Sequence, residues 1–193
     1  MAINYLNKNL KDKEEVDVVD KTGKVIGQAT RSQAYKEGLL HPAVNIVVVN
    51  KKGQIFIQRR SPKKILPLYW DISASEHVKS GEDYKSAAMR GLEEELSVIT
   101  PVKLLRNKHI QRNEYITKEI CLIEYELVEL YGAIYNGKIG VNQEEVSEGR
   151  FVSFEELDKL IKNDQIRFSP WGLDELNYLL NNPSVISELI RSI

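Results

Sequence analysis

Hydrophobic positions along this chain switch between a period of two and a period near four, and the switches divide it into strands and helices. Glu15 to Asp20 alternates, Lys21-Thr22-Gly23 reads as a turn, and Lys24 to Thr30 reads as a returning strand; together they predict an N-terminal β-hairpin. Arg31 to Leu40 reads as a connector or short helix. Val44 to Asn50 is rich enough in β-branched residues for a buried strand, and Lys51-Lys52-Gly53 is a hairpin turn. Its partner is Gln54 to Arg60, with Ile55 and Ile57 on one face and Phe56 on the other. Ser61 to Trp70 reads as a loop, Trp70 to Ser73 as a short strand, and the residues from there to Gly81 as a short loop.

Past Gly81 the period lengthens. Tyr84, Ala88, Leu92 and Leu96 recur every four residues and predict one buried helix face, with Glu82 and Asp83 in the first turn. Val102 to Ile110 and Glu119 to Leu130 read as strands. Tyr131 to Val141, with three glycines, reads as a loop, and Glu148 to Val152 as a further strand. Ser153 with Glu156 makes an S-x-x-E helix start, with Leu157, Leu160 and Ile161 as its apolar side. Pro170-Trp171 reads as a break before helices at Leu173 to Leu180 and Ser184 to Ile193. Strands mixed with helices on both sides predict an α+β fold of the α/β/α sandwich type. Residues 1–14 are a polar extension and 15–193 a single domain.

Composition narrows the function. The chain has 193 residues and a net charge of −1, with 42% hydrophobic residues, enough for one soluble domain with a real core. No basic excess points to nucleic acid. The single cysteine, Cys121, excludes an internal disulfide and a zinc-cysteine cluster. No apolar run reaches the about 18 residues needed to span a bilayer. The N-terminus lacks a secretory apolar core, so the cytoplasm is the expected location and a membrane is not an expected partner.

The chemistry concentrates between Ser73 and Val98. Arg90 and Glu94 lie four apart on the predicted helix and can meet. Glu95 lies about 100° further round, so two carboxylates look out beside the buried stripe. Such oxygen ligands suit hard divalent cations.

The spacing resembles the Nudix box: Gly, five residues, Glu, seven residues, Arg-Glu-aliphatic-x-Glu-Glu-x-Gly-aliphatic. Glu82, Arg90, Leu92, Glu94, Glu95 and Val98 match it. Three positions depart: Glu76 and Ser97 stand where Gly is expected, and Gly91 stands where the Glu after Arg is expected. That Glu is ordinarily a metal ligand or a base, and a Gly within a helix costs roughly 1 kcal/mol relative to Ala. The resemblance extends over residues 15–175, through Leu40-His41-Pro42-Ala43-Val44, Gln58-Arg59-Arg60-Ser61, Trp70-Asp71-Ile72-Ser73 and Glu144-Glu145-Val146, to the branch near isopentenyl-diphosphate isomerases.

The resemblance implies the Nudix fold with a mixed sheet. It also implies a hydrolase of a nucleoside diphosphate linked to another moiety, working with Mg2+ or Mn2+. Glu94 and Glu95 would be metal ligands, Arg90 would orient Glu94, and Glu82 would be a supporting carboxylate. Glu119 and Glu145 are the candidates for a further ligand, with Glu114 behind them. Arg60 and Lys64 match positions that grip diphosphate. Trp70 and Trp171 could line a pocket. His41, His77 and Glu95 match metal positions of the isomerases, and Ala34 or Tyr35 falls where another His is expected. Those enzymes carry a catalytic Cys where this chain has Ser75, whose hydroxyl is far less acidic. The alternatives are therefore a binding or regulatory module that keeps the fold without catalysis, and an isomerase. The partner implied is a small-molecule diphosphate, and a homodimer is common among relatives.

Overall fold

The computed structural model describes residues 13–116, 121–163 and 166–191. Strands β1 (Glu15–Val19) and β2 (Val25–Thr30) form the expected hairpin, and α1 (Arg31–Glu37) follows with Thr30 as its N-cap. The main sheet has seven strands. These are β3 (His41–Val49), β4 (Ile55–Arg60), β5 (Trp70–Asp71), β6 (Ala74–His77), β7 (Val102–Ile116), β8 (Cys121–Ile134) and β9 (Val146–Val152). Their path is β5-β4-β3-β8-β7, with β6 on β3 and β9 on β4. Among the described strands of this sheet only β3 and β8 pair in parallel, so the sheet is mixed.

Strand alternation sends side chains to two separate cores. Val44, Ile46, Val48 and Phe56 face helix α2 (Tyr84–Leu96) through Ala87, Ala88, Leu92 and Leu96. Val47, Val49, Ile55 and Ile57 face α3 (Phe154–Lys162), α4 (Pro170–Asn181) and α5 (Pro183–Arg191). Helices thus cover both faces, as an α/β/α sandwich requires. Burying a side chain such as Leu92 or Leu176, both fully enclosed, contributes about 1.5–3 kcal/mol each. Among the described residues no helix is long and apolar enough to cross a membrane.

Four local expectations are corrected. Residues 74–77 are a strand, not a loop; Ser75, Glu76 and His77 hide it because they line a polar cavity. Asp83 is not inside the first turn of α2 but caps it, its carboxylate accepting from Ser86 N at 3.0 Å, and Glu82 lies outside the helix. Residues 131–134 continue β8 alongside β3, from Ile46↔Tyr131 to Val49↔Ile134. Gly132 serves packing there: a Cβ would fall 2.6 Å from both Leu105 and Leu189 side chains. Pro170 opens α4 instead of breaking the chain, because its missing N–H is an orphan donor anyway at a helix start.

Candidate active site

Helix α2 rests on β6 and β3, and a cavity of about 1370 Å3 opens beside this junction. Glu95 sits in its wall. Far from looking outward as its neighbour does, it is 7% exposed. One carboxylate oxygen accepts from Gln58 Nε2 at 2.9 Å, the other from the Ser75 backbone N–H at 3.1 Å. Burial pushes its carboxyl up to about 7, against the opposing pull of the Lys64 charge. Glu94 also lines the cavity but is half exposed.

Arg90 does less to orient Glu94 than its spacing suggests. Their closest approach is 3.5 Å, while Arg90 forks onto Glu82 at 3.0 and 2.9 Å and donates to His77 O at 2.8 Å. Glu82 in turn accepts from Lys79 N at 3.0 Å. Expected as a supporting site carboxylate, Glu82 does not line the cavity; with Arg90 it clamps the segment after β6 to α2. A third carboxylate on the same guanidinium is Glu76, 3.1 Å away. Burial raises the Glu76 carboxyl above its ordinary range, more than Arg90 lowers it.

Lys64 and Glu145 both line the cavity and form an ion pair with each other. Burial holds the Lys64 ammonium below its ordinary value, although Glu95 works the other way. Arg60 lines the cavity too, with two of its nitrogens engaged in the wall. Nη1 reaches Asp71 Oδ2 at 2.8 Å, Nε reaches Ile65 O at 2.8 Å, and the guanidinium lies 4.8 Å from the centre of the Trp171 ring. Trp171 lines the cavity and Trp70 does not. Glu114 pairs with Arg112 away from it. Glu119 lies outside the described residues.

Two further groups adjoin. The His41 and His77 rings stack at 5.5 Å, and Glu126 approaches them at 3.7 and 3.3 Å; the ligand atoms of all three lie within 4.8 Å of one another. Tyr35, at one of the positions where a further His was expected, meets His77 Nε2 through its hydroxyl at 2.7 Å. Ser75 Oγ donates to Asn45 Oδ1 at 2.8 Å, and Asn45 Nδ2 donates to the buried Glu175 at 3.3 Å. Glu175 also meets His109 at 2.7 Å and Arg106 at 3.1 Å. The cluster of His109, Asp174 and Glu175 thus already has the Arg106 guanidinium as its positive partner.

Sequence reasoning missed Gln58, Glu76, Glu124 and Glu126 as cavity residues. Glu124 and Glu126 had a signal: two carboxylates two apart on one strand share a face. The donor set fits a hard cation. Glu94 and Glu95 offer oxygens, and buried Gln58 Oε1 has no hydrogen-bond partner among the described residues.

Residues 39–172 match the family model of the NUDIX domain. An uncharacterized Nudix hydrolase of Nostoc sp. is 47% identical over 91 residues, which is 46% of this chain and 54% of that protein. The isopentenyl-diphosphate Delta-isomerase 1 of Photorhabdus laumondii is 28% identical over 88% of this chain and 96% of its own length. A crystal structure from Deinococcus radiodurans shares the fold with a TM-score of 0.65, at 24% identity, over 93% of this chain and 98% of that one.

Proposed function

The chain belongs to the NUDIX-domain family, and from that premise we propose that it hydrolyses a nucleoside diphosphate linked to another moiety, with Mg2+ or Mn2+. The observation that carries this reading is Glu95, a buried carboxylate fixed by Gln58 and Ser75 in the wall of a large cavity, with Glu94 beside it. These two residues would hold the cation. When bound, it supplies charge neutralisation on the diphosphate and a more acidic water.

The chain's own groups prepare the rest. Gln58 and Ser75 fix both oxygens of Glu95, so its carboxylate plane is set before substrate arrives. The Arg90–Glu82 fork holds α2 in place against the segment after β6. Lys64 presents a positive charge in the same cavity, suited to a phosphate oxygen. Arg60, tied to Asp71 and Trp171, shapes the wall and adds positive potential.

A second reading, an isomerase-like activity, draws support from the gathering of His41, His77 and Glu126 and from the isomerase relative. Against it, Ser75 carries a hydroxyl that already donates to Asn45.

The test is phosphate or nucleotide release with Mg2+ and with Mn2+ over nucleotide sugars, dinucleotides, nucleoside triphosphates and prenyl diphosphates. Turnover that needs the metal and disappears in Glu95→Gln is the expected result. Allylic isomer formation from isopentenyl diphosphate would favour the isomerase. Folded, metal-supplied protein that turns over none of the panel would count against hydrolysis and favour a ligand-binding module.

A further inference from the structure

We infer that Glu76 is the third carboxylate of the cation site, delivered from strand β6 across the helix surface that Gly91 leaves bare. The inference rests on the metal-dependent reading above.

Strand geometry aims the side chain. In β6, Ala74 is paired with Ile46 and fully buried in the α2 core. Glu76 is two residues on, paired with Val44, and so projects toward the same helix. It meets α2 at Gly91. A Cβ placed there would lie 3.1 Å from Glu76 Cβ and 3.6 Å from Glu76 Cγ. The two positions therefore adjoin: a side chain at 91 would press against the stem of the one at 76, which would have to shift slightly to admit it. The helix carries no carboxylate at 91, and the strand brings one to the same junction.

The surroundings favour a cation there over a simple ion pair. Arg90 is already matched by its fork onto Glu82, yet Glu76 and Glu94 also crowd its Nη1 at 3.1 and 3.5 Å. Three carboxylates share that one guanidinium, with Lys64 as a further positive charge of the same cavity. Glu76, Glu94 and Glu95 all line the cavity, and their oxygens would draw closer together than they now stand to share one ion. An independent feature points the same way. Gln58 is 2% exposed and lines the cavity while its Nε2 holds Glu95, but its Oε1 has no hydrogen-bond partner among the described residues. An oxygen left unsatisfied beside a carboxylate is suited to a hydrated divalent ion or its bound water.

The test is Mn2+ titration of chelator-stripped protein, with free Mn2+ read by electron paramagnetic resonance. Thermal unfolding in chelator checks that each variant folds. Glu76→Gln should weaken Mn2+ binding about tenfold or more. Glu76→Asp, which keeps a carboxylate, should fall between that variant and the unaltered protein. The exchange E76G/G91E, returning the carboxylate to the helix, should restore affinity toward the starting value. Unchanged Mn2+ affinity in Glu76→Gln, with Glu95→Gln defective, would overturn the role of Glu76 and leave the hydrolase reading standing. If the unaltered protein takes up no Mn2+, both fall.

Discussion

At the scale of single residues, the positions that matter most around this site are those with no side chain. Gly172 is an example away from the cation ligands. A Cβ there would fall 2.7 Å from Ser169 Oγ and 3.0 Å from the Ile72 backbone nitrogen, against the buried Asp71 carboxylate. Asp71 accepts from Arg60, Ser169 and Trp171, so this knot supports one wall of the cavity. Alanine gains roughly 1 kcal/mol of helix propensity, but overpacking of this kind costs about 1–3 kcal/mol. Gly172→Ala should therefore lower stability on balance, read as a lower urea midpoint with unchanged slope. A rise in the midpoint would mean that the Asp71 knot yields easily.

At the scale of elements, the hairpin β1–β2 is tied to the segment between β6 and α2 through Asp17. Its carboxylate accepts from Ser80 Oγ at 2.7 Å, Gly81 N at 3.2 Å and Gln28 Nε2 at 3.3 Å. Slight burial works to raise the carboxyl, but these hydrogen bonds outweigh it and hold it below the ordinary 3.8. A depressed folded value means that the ionised form favours folding. This contribution is present above the unfolded value and lost as pH falls through the folded one. The stability difference between the unaltered protein and Asp17→Asn should be constant near neutrality and shrink below about pH 4. Chemical denaturation at several pH values measures it, and a pH-independent difference would exclude the titration.

Elements were also the most legible part of the chain. The four-residue recurrence from Tyr84 to Leu96, the opposed faces of Ile55, Ile57 and Phe56, and the Ser153 cap all mark local geometry that local sequence dictates. Strand β6 was not legible, because its polar residues face a cavity and break the apolar alternation. Gly132 and Pro170 misled because the same residue types serve turns and breaks elsewhere. For the candidate site, spacing along one helix singled out Glu94 and Glu95, and both line the cavity. Glu76 stood out only as a misfit, since its meaning depends on which helix position lies opposite a strand. The fork of Arg90 onto Glu82 is likewise a tertiary contact, eight residues apart, and outside the i, i+4 rule.

At the scale of the whole molecule, a cation held between α2 and the sheet would bind the folded chain and not the unfolded one. Stability should then rise with metal by mass action, about 2.7 kcal/mol at a hundredfold excess over the dissociation constant. Mn2+ should raise the melting temperature of the unaltered protein in a concentration-dependent way and leave Glu95→Gln nearly unmoved. Equal shifts in both would place the stabilising ion elsewhere. The proposed substrate site is similarly collective, with walls drawn from β3, β4, β6, β8 and α2 and from the residues after β4.

The close seating of Glu76 over Gly91 also constrains how this chain can change. A Glu introduced at 91 presses its Cβ to 3.1 Å from Glu76 Cβ, and a Gly introduced at 76 empties the junction of its acid. On the role inferred for Glu76, losing its acid alone should weaken the cation site, and the paired exchange should recover it. Positions 76 and 91 thus meet at one junction, and the cost of a new side chain at either depends on what stands at the other.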